Sequence, residues 1–86
     1  MRKIVGIEKK AYDFQGHQGY NYRIHMSSDI LKDGCGVSVS YIKVKPNVLD
    51  RICGREGVAY TELLGCPVEE IYYDNYKNVV DIILHE

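Results

Sequence analysis

The stretch Gly19-Tyr20-Asn21-Tyr22-Arg23-Ile24-His25-Met26 decides the fold, because its apolar and polar residues alternate without a break. A period of two places Tyr20, Tyr22, Ile24 and Met26 on one face of a β-strand and Asn21, Arg23 and His25 on the other. The first set is the predicted core face. Toward the N-terminus, residues 3–14 read as the partner strand, with Val5 and Ile7 on one face. Strict alternation would then carry Lys9 inward, so a bulge or coil is expected near Lys9-Lys10. Gln15-Gly16-His17-Gln18-Gly19 is a glycine-containing connector, and the two strands make a β-hairpin.

Toward the C-terminus, residues 27–36 hold Asp29, Asp33 and two glycines around Ile30-Leu31, a mobile loop leading to a third strand over 36–45. There Val37, Val39 and Tyr41 alternate in one phase and Ile42 and Val44 in the other, which implies a second bulge near Tyr41. Beyond Pro46, apolar side chains at Val48, Leu49, Ile52 and Cys53 predict a short amphipathic helix over 47–53, with Asn47 as N-cap and Gly54 as stop. Residues 57–65 read either as one helical turn or as an extended connection. Residues 67–73 and 79–84 form a second hairpin around a turn at Asp74-Asn75-Tyr76-Lys77-Asn78.

Three strands, a helix and two strands, with early strands that bend, predict a mainly β fold: a five-stranded OB-like barrel with one short helix between strands 3 and 4. With 86 residues there is room for a single domain, 1–86, and no repeat or linker divides it. No apolar run approaches a membrane helix or a secretory signal, so a cytoplasmic protein is expected. Cys35, Cys53 and Cys66 are odd in number and contain no C-x-x-C pair; they read as reduced thiols, with no metal site and no cofactor expected.

Net charge is only −1, yet it divides along the chain. Residues 1–45 hold eight Lys/Arg against four Asp/Glu, and residues 46–86 hold three against eight. A basic surface results if the fold keeps these halves apart. Lys9, Lys10, Arg23, Lys43 and Lys45 fall on the first three strands, and Lys77 in the last turn. Among the eight tyrosines, Tyr12, Tyr20, Tyr41 and the hairpin-tip Tyr76 lie near those cations or at a loop end, as does Phe14. Cations that neutralise phosphates beside rings that stack on unpaired bases are what single-stranded DNA or RNA requires, with weak sequence preference. Each lysine taken alone also fits a solvated surface, and each tyrosine a core position.

The final hairpin, Tyr72-Tyr73-Asp74-Asn75-Tyr76-Lys77-Asn78-Val79, resembles the Tyr-Asn-x-Tyr-Gly-Lys-Val-type ending of small OB-fold helix-destabilising proteins of phages and mobile elements of Gram-positive bacteria. The opening Lys3-Ile4-Val5-Gly6, followed after a turn by Gly19-Tyr20, is similar too. The resemblance implies non-specific binding of single-stranded DNA during replication or transfer. It covers the ends of the chain better than the middle, and Asn78 stands where a turn glycine belongs. Two rivals remain. His17, His25 and His85 with three cysteines offer nominal acid, base and nucleophile chemistry, but no motif organises them, and no enzyme is expected. A protein-interaction or self-association module is the stronger rival, since free strand edges in so small a barrel leave room for a homodimer.

Overall fold

The computed structural model describes residues 2–85. Strands β1 (Arg2–Phe14), β2 (His17–Asp29) and β3 (Val37–Val44) are followed by helix α1 (Pro46–Glu56), a 3-10 turn η1 (Tyr60–Leu63) and strands β4 (Pro67–Tyr73) and β5 (Val79–Leu84). All pairings are antiparallel, in the order β3-β2-β1-β4-β5. β1 is the hub: it pairs along its length with β2, while its first residues pair with β4 through Arg2↔Val68 and Lys3↔Pro67. Among the described residues no ladder joins β3 to β5, so the sheet is open with two edges and the expected closure into a barrel is absent.

The first hairpin is tighter than the sequence suggested. Phe14 pairs directly with His17, and the connector is Gln15-Gly16 alone, both at positive φ as a type I′ turn requires. His17, Gln18 and Gly19 therefore belong to β2, which also runs on to Asp29 into the expected loop. The phase shift in β1 is real but sits at Val5, between Ile4 and Gly6, and not at Lys9-Lys10. One extra residue there lets Ile4 and Ile7 share the core face. From Gly6 to Phe14 the ladder is unbroken, so Lys9 follows Ile7 onto that face. It is tolerated because it is exposed and its ammonium lies 4.0 Å over the Tyr20 ring.

No bulge occurs near Tyr41 either: Val37 to Val44 pair in regular register with Asp29 to Tyr22. Ile42 and Val44 face the core, and Val37, Val39 and Tyr41 simply occupy the opposite, outer face. Val37, Val39 and Tyr41 on one face and Ile42 and Val44 on the other are what made its alternation look broken.

Ile4, Ile24, Met26 and Val44 from the sheet meet Val48, Leu49 and Ile52 of α1, Leu63 of η1 and Val68, Ile71, Val79 and Ile82 of the last hairpin in one core. Helix α1 starts at Pro46 with Lys45 in the N-cap position and passes through Gly54. Gly57, at φ 70°, ends it in the left-handed conformation that favours glycine, donating its N–H to the Cys53 carbonyl. Asn47 and Gly54 are thus helical residues rather than cap and stop. Residues 57–65 resolve into the single 3-10 turn that buries Leu63; Gly65 N–H then donates to the Ile4 carbonyl and Ile4 N–H to Cys66, tying the turn to β1.

Helix α1 also covers the edge of β5. Arg51 donates to the Val80 carbonyl, Arg55 donates to Ile82 at 2.7 Å, and Arg55 forms a two-pronged pair with the Asp81 carboxylate. Partial burial opposes ionisation of Asp81, but the Arg55 guanidinium and the Ile82 N–H prevail and hold the carboxyl below its ordinary range. A depressed carboxylate pKa stabilises the fold above the unfolded-state value, and that contribution disappears as the folded carboxyl protonates. Asp81→Asn is therefore expected to lose about 1 kcal/mol at neutral pH. The gap to the parent closes as pH falls through the carboxylate range, which urea unfolding at neutral and acid pH measures; a gap that persists in acid would assign the loss to packing.

Candidate functional site

Strand register sorts the sequence-selected residues onto two faces. The outer face, away from α1, carries Glu8, Lys10, Tyr12 and Phe14 from β1, Gly19, Asn21, Arg23 and His25 from β2, and Val37, Val39, Tyr41 and Lys43 from β3. Lys10, Tyr12, Arg23, Tyr41 and Lys43 are thus brought together, and Lys45 continues their row where β3 leads into α1. Lys9 and Tyr20 are not. They lie on the core side, where Tyr20 packs edge-on against Tyr22 at 5.7 Å between centroids and Tyr22 against Tyr60 at 5.9 Å. These rings extend the core, and burial pushes the Tyr22 hydroxyl above its ordinary pKa.

Arg23 is the centre of the outer face. Across the ladder it stands opposite Lys43 on one side and Glu8 on the other. Its guanidinium carbon lies 4.8 Å over the Tyr41 ring, and its Nε is shielded from solvent with no hydrogen-bond partner among the described residues. Glu8 is occupied elsewhere: His25 Nε2 approaches its Oε1 at 3.4 Å and the Lys10 ammonium its Oε2 at 3.5 Å. The His25 hydrogen bond leads in holding the Glu8 carboxyl below its usual range; desolvation opposes it, and Lys10 adds to the lowering. Arg23 and Lys43 are thus like charges in direct cross-strand opposition, an arrangement unfavourable to the bare sheet and relieved by a bound anion.

The rings are set by their neighbours. Tyr12 crosses Gly19, where an added Cβ would fall 2.5 Å from the Tyr12 hydroxyl oxygen, so glycine there lets the ring lie along the sheet. Tyr41 is flanked by Arg23 and by His25, whose ring centroid is 5.6 Å away. Phe14, at the hairpin end of the same face, is exposed.

Two shallow hollows mark the surface. One is lined by Lys10, Ala11, Tyr12, Asn21, Arg23 and Lys43; the other by Asn21, Lys43, Val44, Lys45, Asn78 and Val79. Asn21 and Lys43 line both, so the hollows are contiguous and run from the β1–β2 hairpin toward the β4–β5 turn. Asn21 is the residue that sequence reading missed. Its place on the Arg23 face was legible, but a short amide among cations gives no signal of its own.

The turn itself is built on Asp74. Its carboxylate accepts from the N–H groups of Asn78 and Tyr76, at 2.9 and 2.8 Å, and from the Asn78 amide. The Asn78 N–H contributes most to holding the Asp74 carboxyl below its usual range, and Lys45 adds to it from outside the turn. Lys77 takes the left-handed conformation at φ 65°, a strained position for a residue other than glycine. Tyr76 is left 85% exposed at the tip. Tyr76 and Lys77 therefore flank the far hollow through Asn78 and Lys45 and are not part of the β1–β3 face.

Burial pushes the Cys53 thiol up, away from the thiolate that nucleophilic attack needs. Among the described residues no cluster of His, Cys, Asp and Glu has metal-site geometry, and no helix is long and apolar enough to cross a membrane. No protein-family model, curated protein or solved structure matches the chain.

Proposed function

We propose that the chain binds single-stranded nucleic acid without sequence specificity, laying the strand along the outer face of β1–β3. The observation that carries this reading is the cross-strand pair of Arg23 and Lys43, two cations with no ion-pair partner among the described residues, set beside the Tyr41 ring. Phosphates supply the missing counter-charge, and Tyr41, Tyr12 and Phe14 offer stacking surfaces along the same face. Duplex DNA buries its base faces and leaves these rings without partners, which favours the single strand.

The strand order supports the same reading. An OB barrel unrolled between its third and fifth strands gives β3-β2-β1-β4-β5 with a helix between β3 and β4, and the strand 2–3 face of that fold is where oligonucleotides bind. Arg23, Tyr41 and Lys43 occupy that face here. In this reading the protein works in the cytoplasm on strands exposed during replication or transfer, as the helix-destabilising proteins of phages and mobile elements do.

The chain has no tryptophan, so tyrosine emission reports binding directly. Titration with oligo-dT is expected to quench it, with duplex of equal length weaker by tenfold or more. Contacts from Lys10, Arg23, Lys43 and Lys45 predict a log K against log salt slope of about −2 to −3 on single strands. Absence of binding at low salt overturns the proposal.

A further inference from the structure

We infer that the chain forms a two-fold homodimer by antiparallel pairing of the outer edge of β3 with the β3 of a second copy. The two edges of the open sheet differ. At β5 the guanidinium groups of Arg51 and Arg55 occupy the carbonyls of Val80 and Ile82, so that edge is already engaged by its own helix. Among the described residues no side chain or loop hydrogen-bonds the outer backbone edge of Val37–Ile42. Proteins ordinarily guard a free edge with lysine, proline, a bulge or an inward charge. Between Asp33 and Lys43 this chain has none of the charges and no proline, and the ladder to β2 is regular throughout.

The same segment is unusually apolar for an outer surface. Val37, Val39 and Tyr41 are 58%, 60% and 48% exposed on one face, with Ser38 and Ser40 on the other. That alternation is self-complementary, which is why a second copy is the occupant. Antiparallel pairing centred on Val39 sets Val39 against Val39, Val37 against Tyr41 and Ser38 against Ser40, so like meets like on both faces. It also keeps the cations apart. Lys43 of one copy stands opposite position 35 of the other, so the two Lys43 residues are separated by roughly 27 Å at 3.4 Å per residue. Directly opposed residues of an antiparallel pair point to the same side, so the two outer faces join into one surface on one side of a continuous sheet. The inference stands independently of what that surface binds.

Sedimentation equilibrium of the full chain, from low micromolar to submillimolar concentration, is expected to show a monomer–dimer equilibrium. Val39→Lys, an exposed substitution that opposes two lysines at the dyad, is expected to weaken it at least tenfold with unchanged circular dichroism. Val80→Lys on the β5 edge leaves it unchanged. Hydrogen exchange of the unmodified chain gives a readout that needs no variant: amides of β3 gain protection as concentration rises, and those of β5 do not. A chain that stays monomeric throughout, a dimer indifferent to Val39→Lys, or one broken instead by Val80→Lys overturns the inference. A monomer whose β3 amides exchange at every concentration leaves that edge to another protein and overturns it equally.

Discussion

Ile24→Ala is expected to lose about 3 to 4 kcal/mol of stability, the largest effect of any single truncation in the sheet. Ile24 is fully buried, and it is the residue at which three layers of contact coincide. Ile7 opposes it on β1, Ile42 opposes it on β3, and it belongs to the core cluster that Val48, Leu49 and Ile52 of α1 close from above. Alanine there removes apolar volume at a point where two ladders fix the backbone, so the neighbours cannot collapse into the space. A domain of this length has a total stability on the order of 5–10 kcal/mol, and a loss of this size lowers its thermal midpoint by roughly 15–25 °C. Val39→Ala, on the outer face of the adjacent strand, is the control and changes monomer stability by about 0.5 kcal/mol or less. Thermal and urea unfolding of the two variants at low protein concentration measure the difference. A loss below about 1 kcal/mol for Ile24→Ala would mean that the centre of the core lies elsewhere.

Ile24 was also the position most clearly readable from sequence, and the reason is physical. β2 has one buried and one outer face, so its pattern of Tyr22-Arg23-Ile24-His25-Met26 states its own register. The last hairpin was equally legible, because Pro67, the Asp74–Asn78 turn chemistry and Val79 bound it on each side. The bends were not. In β1 the sequence shows that Val5 and Lys9 cannot share one inward face, but not which residue is squeezed out of the ladder. The structure resolves the conflict at Val5, where turning one residue outward keeps both Ile4 and Ile7 in the core. In β3 there was no conflict at all, only a strand with apolar residues on both faces. Helix α1 erred in its ends for a related reason: Gly54 and Gly57 are chemically identical, and only the chain's need for a left-handed residue before Val58 selects Gly57 as the stop.

The misplaced bend in β1 explains why Lys9 is off the site, whereas Tyr20 lies on the core face that the alternation of β2 itself predicts. Shifting the bulge from Lys9-Lys10 to Val5 reverses nothing on β2 but sends Lys9 to the Tyr20 side and Lys10 to the Arg23 side. Two residues chosen for charge and ring, Lys9 and Tyr20, thereby pair with each other on the core side of the sheet. The ones that remain, Lys10, Tyr12, Arg23, Tyr41 and Lys43, form a tighter set than the sequence suggested, with Arg23 at its centre.

Arg23 therefore offers the sharpest test of the proposed function. Arg23→Ala is expected to weaken oligo-dT binding by about 10- to 100-fold, the range for loss of a charge-assisted contact of about 1.5–3 kcal/mol. It should also reduce the magnitude of the salt slope by about 0.7, since one fewer counterion is released on a single strand. Arg23→Lys separates the two roles of the side chain. A lysine keeps the charge and hence the slope, but its compact ammonium cannot lie as a plane over Tyr41 and hold that ring for a base, so part of the affinity is still lost. Tyr41→Ala is expected to show the complementary behaviour, losing about 1–3 kcal/mol of stacking with the slope unchanged. Arg23→Ala is not expected to destabilise the fold, because removing Arg23 relieves its cross-strand opposition to Lys43. Fluorescence anisotropy of labelled oligo-dT at several salt concentrations measures affinity and slope together. Parent-like affinity and slope in Arg23→Ala would move the binding surface off the β1–β3 face, because among the described residues Arg23 is the cation of that face with both a ring beneath it and a like charge opposite.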